Sequence, residues 1–330
     1  MKLLKWFGVL VLLLIVVYFL GPQPATPVYT TNLPVLPAEA NALENYILTN
    51  ESHHKLKPDN EARILWLHDS LKEKTEYALV YLHGFSASQE EGDPLHYELA
   101  QKFGCNLYLS RLDAHGIDTT NPLANFTALG YWHTAKEAFT IGKQLGKKII
   151  LISTSTGGTV ALKLAAEYPE IAGLILLSPN IAINDANAWM LNNHWGLQIA
   201  ELIEGKQRKV DDTTAIYAQY WNDQYATKSL VQLEELVEST MKEATFKKVK
   251  QPVLLLYYYK DKQHQDRVVK VSAMRRMFKQ LGTPDRLKRE VAIPEAGDHV
   301  IGSYVKSKDI KSVEAACENF LKEVMHMQEQ

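Results

Sequence analysis

Metal-ligand spacing is missing from this chain. Its 330 residues hold only two cysteines, Cys105 and Cys317, and no H-E-x-x-H stretch. A metal mechanism therefore has no support, and neither a metal nor any other cofactor is expected. The adjacent His53 and His54 read as solvated linker rather than ligands. Two cysteines make no disulfide framework. Cys105 lies in an apolar, strand-like run and Cys317 in a helical pattern, so two buried free thiols are predicted, with a single disulfide as the alternative in an exported chain. Long basic runs are missing too, and the formal net charge is -2. Nucleic acid is thereby excluded as an expected partner. A disorder-prone composition is also lacking: 46% of residues are hydrophobic and 22% charged, enough apolar material for a sizeable core.

One stretch lacks charge altogether. After Lys2 and Lys5, an apolar run extends from Trp6 to Leu20, stopped by Pro22 and Pro24, and no Lys or Arg follows until Lys55. About 18 helical residues from Leu3 span roughly 27 Å, slightly less than a hydrocarbon core of about 30 Å. The charge asymmetry predicts a single-pass membrane anchor over residues 1–21, amino terminus in the cytoplasm and body on the extracytoplasmic side. A cleaved signal peptide releasing a secreted or periplasmic body is the alternative, although no A-x-A-like site follows the run. Residues 22–59 read as a Pro- and Thr-rich tether with a short helix over Ala38–Leu48.

The body alternates strands with helices. Strands are predicted at 63–67, 77–82, 105–109, 149–152, 171–177, 252–258 and 289–293. Helices are predicted over 128–145, 159–167, 270–281 and 312–325. Ser88-Gln-Glu-Glu91 reads as a capping box opening a helix. Such alternation means a mostly parallel sheet covered on both faces. It lapses between about residues 181 and 250, which are helix-like, lack a convincing strand, and hold Trp189, Trp195, Tyr217, Tyr220, Trp221 and Tyr225. An inserted helical cap is predicted there, its aromatics lining a substrate site or packing the cap internally.

The most informative residues are Lys148–Ala161. An apolar strand, Ile149–Ile152, runs into Ser153-Thr-Ser155-Thr-Gly157-Gly158 and then a helix. Strand, tight turn with a central serine, and helix form the pattern of a nucleophile elbow, G-x-S-x-G, here with Ser153 in place of the first glycine. Ser155 is the candidate nucleophile. It needs a base and an orienting acid, which follow the serine in the order acid, then histidine. His299, just beyond the last predicted strand, is the candidate base. Two carboxylates follow the preceding strand, and Asp266 is preferred to Asp261 as the acid. An oxyanion hole would use backbone N–H groups: that of Thr156, after the nucleophile, and that of Phe85, in the turn His83-Gly84-Phe85.

Taken together, HGFSAS at 83–88, RLDAHG at 111–116, STSTGG at 153–158, QDRVV at 265–269 and GDH at 297–299 make the chain resemble an α/β-hydrolase. The resemblance is to the bacterial serine hydrolases that include monoacylglycerol lipases, lysophospholipases, carboxylesterases and serine aminopeptidases. RLDAHG departs from the group's more frequent R-L-x-G-H-G at Ala114, and His115 there is read as structural. The resemblance implies a mostly parallel sheet flanked by helices, a core over 60–180 and 251–330, and a helical cap over 181–250. It implies hydrolysis of acyl or lipid-like carboxylic esters through a Ser-His-Asp triad and an acyl-enzyme. A serine aminopeptidase is the alternative, with Glu201, Glu204, Asp211 and Asp212 as candidates to hold a substrate amine. A non-catalytic, membrane-tethered binding protein of the same fold is the alternative from another class. The expected partners are a small-molecule ester or lipid-like substrate and a membrane held through the amino-terminal helix. Nothing in the residues specifies an oligomeric state.

Overall fold

The computed structural model describes residues 2–212 and 214–330. Helix α1 (Lys2–Phe19) and helix α2 (Ala40–Ser52) precede the sheet. Strands β1 (Arg63–Leu65) and β2 (Thr75–Leu82) lead to α3 (Leu95–Lys102), β3 (Asn106–Leu109) and α4 (Ala128–Leu145). Strand β4 (Gly146–Thr154), α5 (Thr156–Glu167) and β5 (Gly173–Leu177) follow. An excursion then carries α6 (Gly196–Glu204), β6 (Gln207–Lys209), α7 (Ala215–Tyr220), β7 (Gln224–Ala226), α8 (Lys228–Thr240) and α9 (Glu243–Lys248). Strand β8 (Val253–Tyr257), α10 (Val271–Gln280), β9 (Lys288–Ala292) and α11 (Ile310–Glu323) complete the chain.

Seven strands form one sheet in the order β1-β3-β2-β4-β5-β8-β9. Only β1 pairs antiparallel; every other pairing in this sheet is parallel. Alternation along the strands divides the core. Ala78, Val80 and Leu82 of β2 face the side covered by α4, α5, α8 and α10. Leu79 and Tyr81 face the side covered by α3 and α11. Both faces are therefore dry, which is why the inner strands read as unbroken apolar runs. Helix α4 starts where Thr127 accepts a hydrogen bond from Gly130 N–H, and it buries Tyr131, Trp132 and Phe139.

Two local expectations change. The stretch 181–250 does contain strands, β6 and β7, which pair antiparallel. Each has three residues, and β6 is largely exposed, so no apolar alternation marked it. Ser88 makes no side-chain cap bond; Gln89–Gly92 is a single 3-10 turn, and Glu91 is turned elsewhere.

The membrane expectation is corrected outright. Among the described residues, no helix is long and apolar enough to cross a membrane. Helix α1 ends at Phe19 after 18 residues, about 27 Å against a hydrocarbon core of about 30 Å. Beyond it the chain turns onto the excursion: Trp195 Nε1 donates to Val17 O and Trp195 N to Pro22 O. The single-pass anchor, the extracytoplasmic body and the membrane as a partner held through this helix all fall with that finding. Cys105 and Cys317 are both buried and free.

Candidate functional site

Ser155 stands between the last residue of β4 and the first of α5, with φ 52° and ψ -118°. That conformation is costly for a residue with a Cβ, and it persists only where surroundings enforce it. Here Ser155 N–H donates to Leu177 O at 3.0 Å, while Ser155 O accepts from Gly158 N and Asn180 N. The turn is crowded: a Cβ on Gly157 would lie 2.0 Å from Leu82 O. Ser153 is fully buried beside this turn, and its Oγ donates to Ile175 O at 3.4 Å.

His299 lies in the loop after β9, 9% exposed. Its Nδ1–H donates to Asp266 Oδ2 at 2.6 Å. A carboxylate only accepts, so this bond leaves Nε2 as the free lone pair of the neutral ring. Nε2 is buried and has no hydrogen-bond partner among the described residues, and His299 and Ser155 line the same cavity. Burial pushes the His299 pKa down, but the charge and hydrogen bond of Asp266, with Glu91 and Asp298, outweigh it and the net shift is upward. Asp266 is almost fully buried, and its other oxygen accepts from Val268 N and Val269 N. Asp261 is elsewhere: half exposed, it accepts from Gln263 N and pairs with His264.

The turn after β2 is held from several sides. His83 Nε2 accepts from Leu112 N–H, and Tyr131 Oη donates to His83 O. Ser86 N–H donates to His115 Nε2 at 2.9 Å, which gives His115 a structural part. Gly84 N–H donates to Glu91 Oε2 at 2.5 Å. Burial lowers His83 to about 4 and holds His115 well below its usual range, so both rings are neutral supports. Among the described residues, the Phe85 N–H between these two has no protein acceptor. Thr156 N–H is the first of α5, where helix geometry leaves N–H groups without intrahelical partners.

From the sequence, Glu91 reads only as part of a helix cap. It is 2% exposed and lines the cavity beside Phe85, Ser155 and His299. Burial raises its pKa to about 7, against the opposing pull of Gly84 N–H, His299 and the Trp221 indole. Two acidic residues in sequence are ordinarily surface residues; nothing local marked this one as turned inward.

The cavity measures about 750 Å³. Tyr217, Trp221 and Tyr225 line it with Leu191, Ile199 and Leu233, whereas Trp189 and Trp195 do not. Tyr217 and Trp221 stack with ring centroids 5.4 Å apart. Tyr220 instead donates to Asp59 Oδ2. Of the four acidic candidates for an amine seat, only Glu204 and Asp211 reach the cavity; Asp212 is paired with Lys306, and Arg208, Lys209 and Lys306 also line it. No cluster of His, Cys, Asp or Glu able to hold a metal occurs among the described residues.

A parallel sheet carrying a serine on a strained strand–helix turn, with a buried His-Asp pair at the same cavity, defines an α/β-hydrolase. The family model described as serine aminopeptidase, S33, matches residues 74–296, and the chain belongs to that family. Solved structures share the fold. One comes from work on LipS and LipT, two metagenome-derived lipolytic enzymes: TM-score 0.65, 16% identity, covering 81% of this chain and 99% of that one. A monoacylglycerol lipase of Paleococcus ferrophilus gives TM-score 0.57 at 16% identity, covering 80% and 98%. Est1E of Butyrivibrio proteoclasticus, solved with ferulic acid, gives TM-score 0.55 at 19% identity, covering 81% and 95%. No curated protein matches the chain.

Proposed function

We propose that this chain is a serine hydrolase of carboxylic esters, acting on acyl or lipid-like substrates. The observation that carries the reading is the buried Nε2, without a partner among the described residues, of an imidazole tied by Asp266, on a residue that lines the same cavity as Ser155. His299 Nε2 takes the Ser155 proton as Oγ attacks the ester carbonyl. The negative oxygen of the tetrahedral intermediate is met by the N–H groups of Phe85 and Thr156. His299 then gives the proton to the departing alcohol, leaving Ser155 acylated, and water repeats the sequence to release the acid. Residues 181–250 act as the cap, and its aromatic wall suits an apolar acyl chain. The lipolytic and esterase neighbours lend the same direction.

The family's description favours a second reading, a serine aminopeptidase. That activity needs a negative seat for a substrate amine. Here Glu204 and Asp211 share the cavity with Arg208 and Lys209, whose charges offset theirs. A fluorophosphonate probe should label the wild-type protein and fail on Ser155→Ala, with ester turnover lower by roughly 10³-fold or more in the variant. No labelling of the wild type defeats the serine mechanism and favours a non-catalytic binding protein, whereas labelling that survives in Ser155→Ala moves the nucleophile to another residue. Faster turnover of aminoacyl amides than of acyl esters moves the assignment to the aminopeptidase.

A further inference from the structure

The oxyanion turn has three consecutive N–H groups, and the outer two are spent on side chains. His115 takes that of Ser86, and Glu91 takes that of Gly84. Only the middle one, on Phe85, is left facing no protein acceptor among the described residues. A peptide plane whose neighbours are both clamped cannot rotate freely, so the direction of Phe85 N–H depends on those clamps. The Glu91 clamp is the one inside the site. A Cβ built on Gly84 would lie 2.9 Å from Glu91 Oε1 and 2.9 Å from Ser155 Cβ, so carboxyl and nucleophile close on the same point from two sides. Gly84 thus leaves the carboxyl room to approach the elbow.

We propose that Glu91 is a positioning residue of the oxyanion hole: by holding Gly84 N–H it aims Phe85 N–H at the oxygen that becomes negative on Ser155 attack. The proposal rests on the serine mechanism above.

Around the carboxyl stand His299 and Asp298 from the loop after β9, the phenols of Tyr81 in β2, Tyr131 in α4 and Tyr217 in α7, and the Trp221 indole. His299 is the cationic partner among them once it is protonated, and Asp298 the other carboxylate. Glu91, itself raised to about 7, titrates together with His299, and its ionised form favours the imidazolium, in line with the upward contribution Glu91 makes at His299. Removing that charge makes His299 easier to deprotonate. Since the base must be neutral to act, the acid limb of the rate profile then moves to lower pH.

The experiment compares Glu91→Ala and Glu91→Gln with wild type on a short acyl ester, measuring kcat, KM, the pH profile and the thermal melt. Glutamine keeps an acceptor for Gly84 N–H and removes the charge. The expected result is a kcat roughly ten- to hundredfold lower in Glu91→Ala with KM little changed, as for loss of an interaction made in the transition state. Glu91→Gln should recover most of kcat and shift the acid limb downward. A wild-type kcat in Glu91→Ala overturns the proposal. So does an equal loss in both variants with an unmoved acid limb, the mark of a packing role alone. Fluorophosphonate labelling of wild-type Ser155 is read in parallel. If it is present and the Glu91 effects are missing, only the Glu91 assignment falls; if it is absent, both fall.

Discussion

Asp266 and Asp261 are five positions apart, and their surroundings separate them completely. Asp266 spends one oxygen on Val268 N and Val269 N and the other on His299. Those backbone bonds fix the carboxylate, and the carboxylate fixes which imidazole nitrogen is free. Asp266→Asn should lower kcat by about 10³- to 10⁴-fold, because the amide can stabilise the wrong tautomer and cannot neutralise the imidazolium. Asp261→Asn removes an exposed loop contact with His264 and should leave turnover near wild type. Steady-state kinetics on one ester decides; the opposite ranking would transfer the orienting role to Asp261. At this scale the candidate site was largely legible, because elbow chemistry needs small residues at fixed offsets and loops after strands end at the same sheet edge. Glu91 escaped because its meaning lies in burial, and burial is set by the turn after β2 rather than by neighbours in sequence. Ala114 marks the other departure from the expected motif. Its φ of 59° is the left-handed region, which explains why related sequences more often place glycine there.

At the scale of elements, the sheet was readable because its inner strands are buried on both faces. The excursion between β5 and β8 was readable only as an interruption. Its two short strands carry polar residues, and its aromatics divide between wall and packing for reasons no periodicity reveals. Tyr217, Trp221 and Tyr225 reach the cavity, while Trp189 is 55% exposed and turned away. Trp221 is 4% exposed and shares the cavity with Glu91. Trp221→Ala should therefore shift the preferred acyl length, and it should also lower stability, since emptying a packed indole site costs about 3–5 kcal/mol. Trp189→Ala should alter neither. Turnover of a homologous series of acyl esters, with melting curves for each variant, tests the pair. A Trp221→Ala protein that loses stability while keeping its chain-length preference would assign these aromatics to packing alone.

Across the whole molecule, the segment between α1 and α2 ties distant parts together. Tyr29 Oη is hydrogen-bonded to Ser239 Oγ of α8 at 2.7 Å. Thr30 O accepts from Trp132 Nε1 of α4, Thr31 O from Tyr168 Oη just past α5, and Asn32 O from Lys136 Nζ of α4. The Lys163 ammonium sits 4.7 Å from the Tyr29 ring centre and 4.8 Å from that of Trp132. A stretch that reads as a Pro-rich tether is thus a strap across three helices. Composition could not reveal it, because its anchors are mostly backbone carbonyls that any residue supplies. Helix α1 is different: from Leu4 to Leu20 its large apolar side chains remain exposed, and its links to the excursion gather near its carboxyl end. The two should separate on truncation. Removing residues 1–19 should leave the melting temperature near that of the full chain. Removing residues 1–36 deletes at least the four half-buried strap hydrogen bonds named above, each worth about 1 kcal/mol. At about 2–4 °C per kcal/mol for a domain of this size, the fall should be on the order of 10 °C. Equal melting temperatures for the two truncations would mean that the strap follows the helices without holding them. An equal fall in both would locate the stabilising contacts in α1 instead.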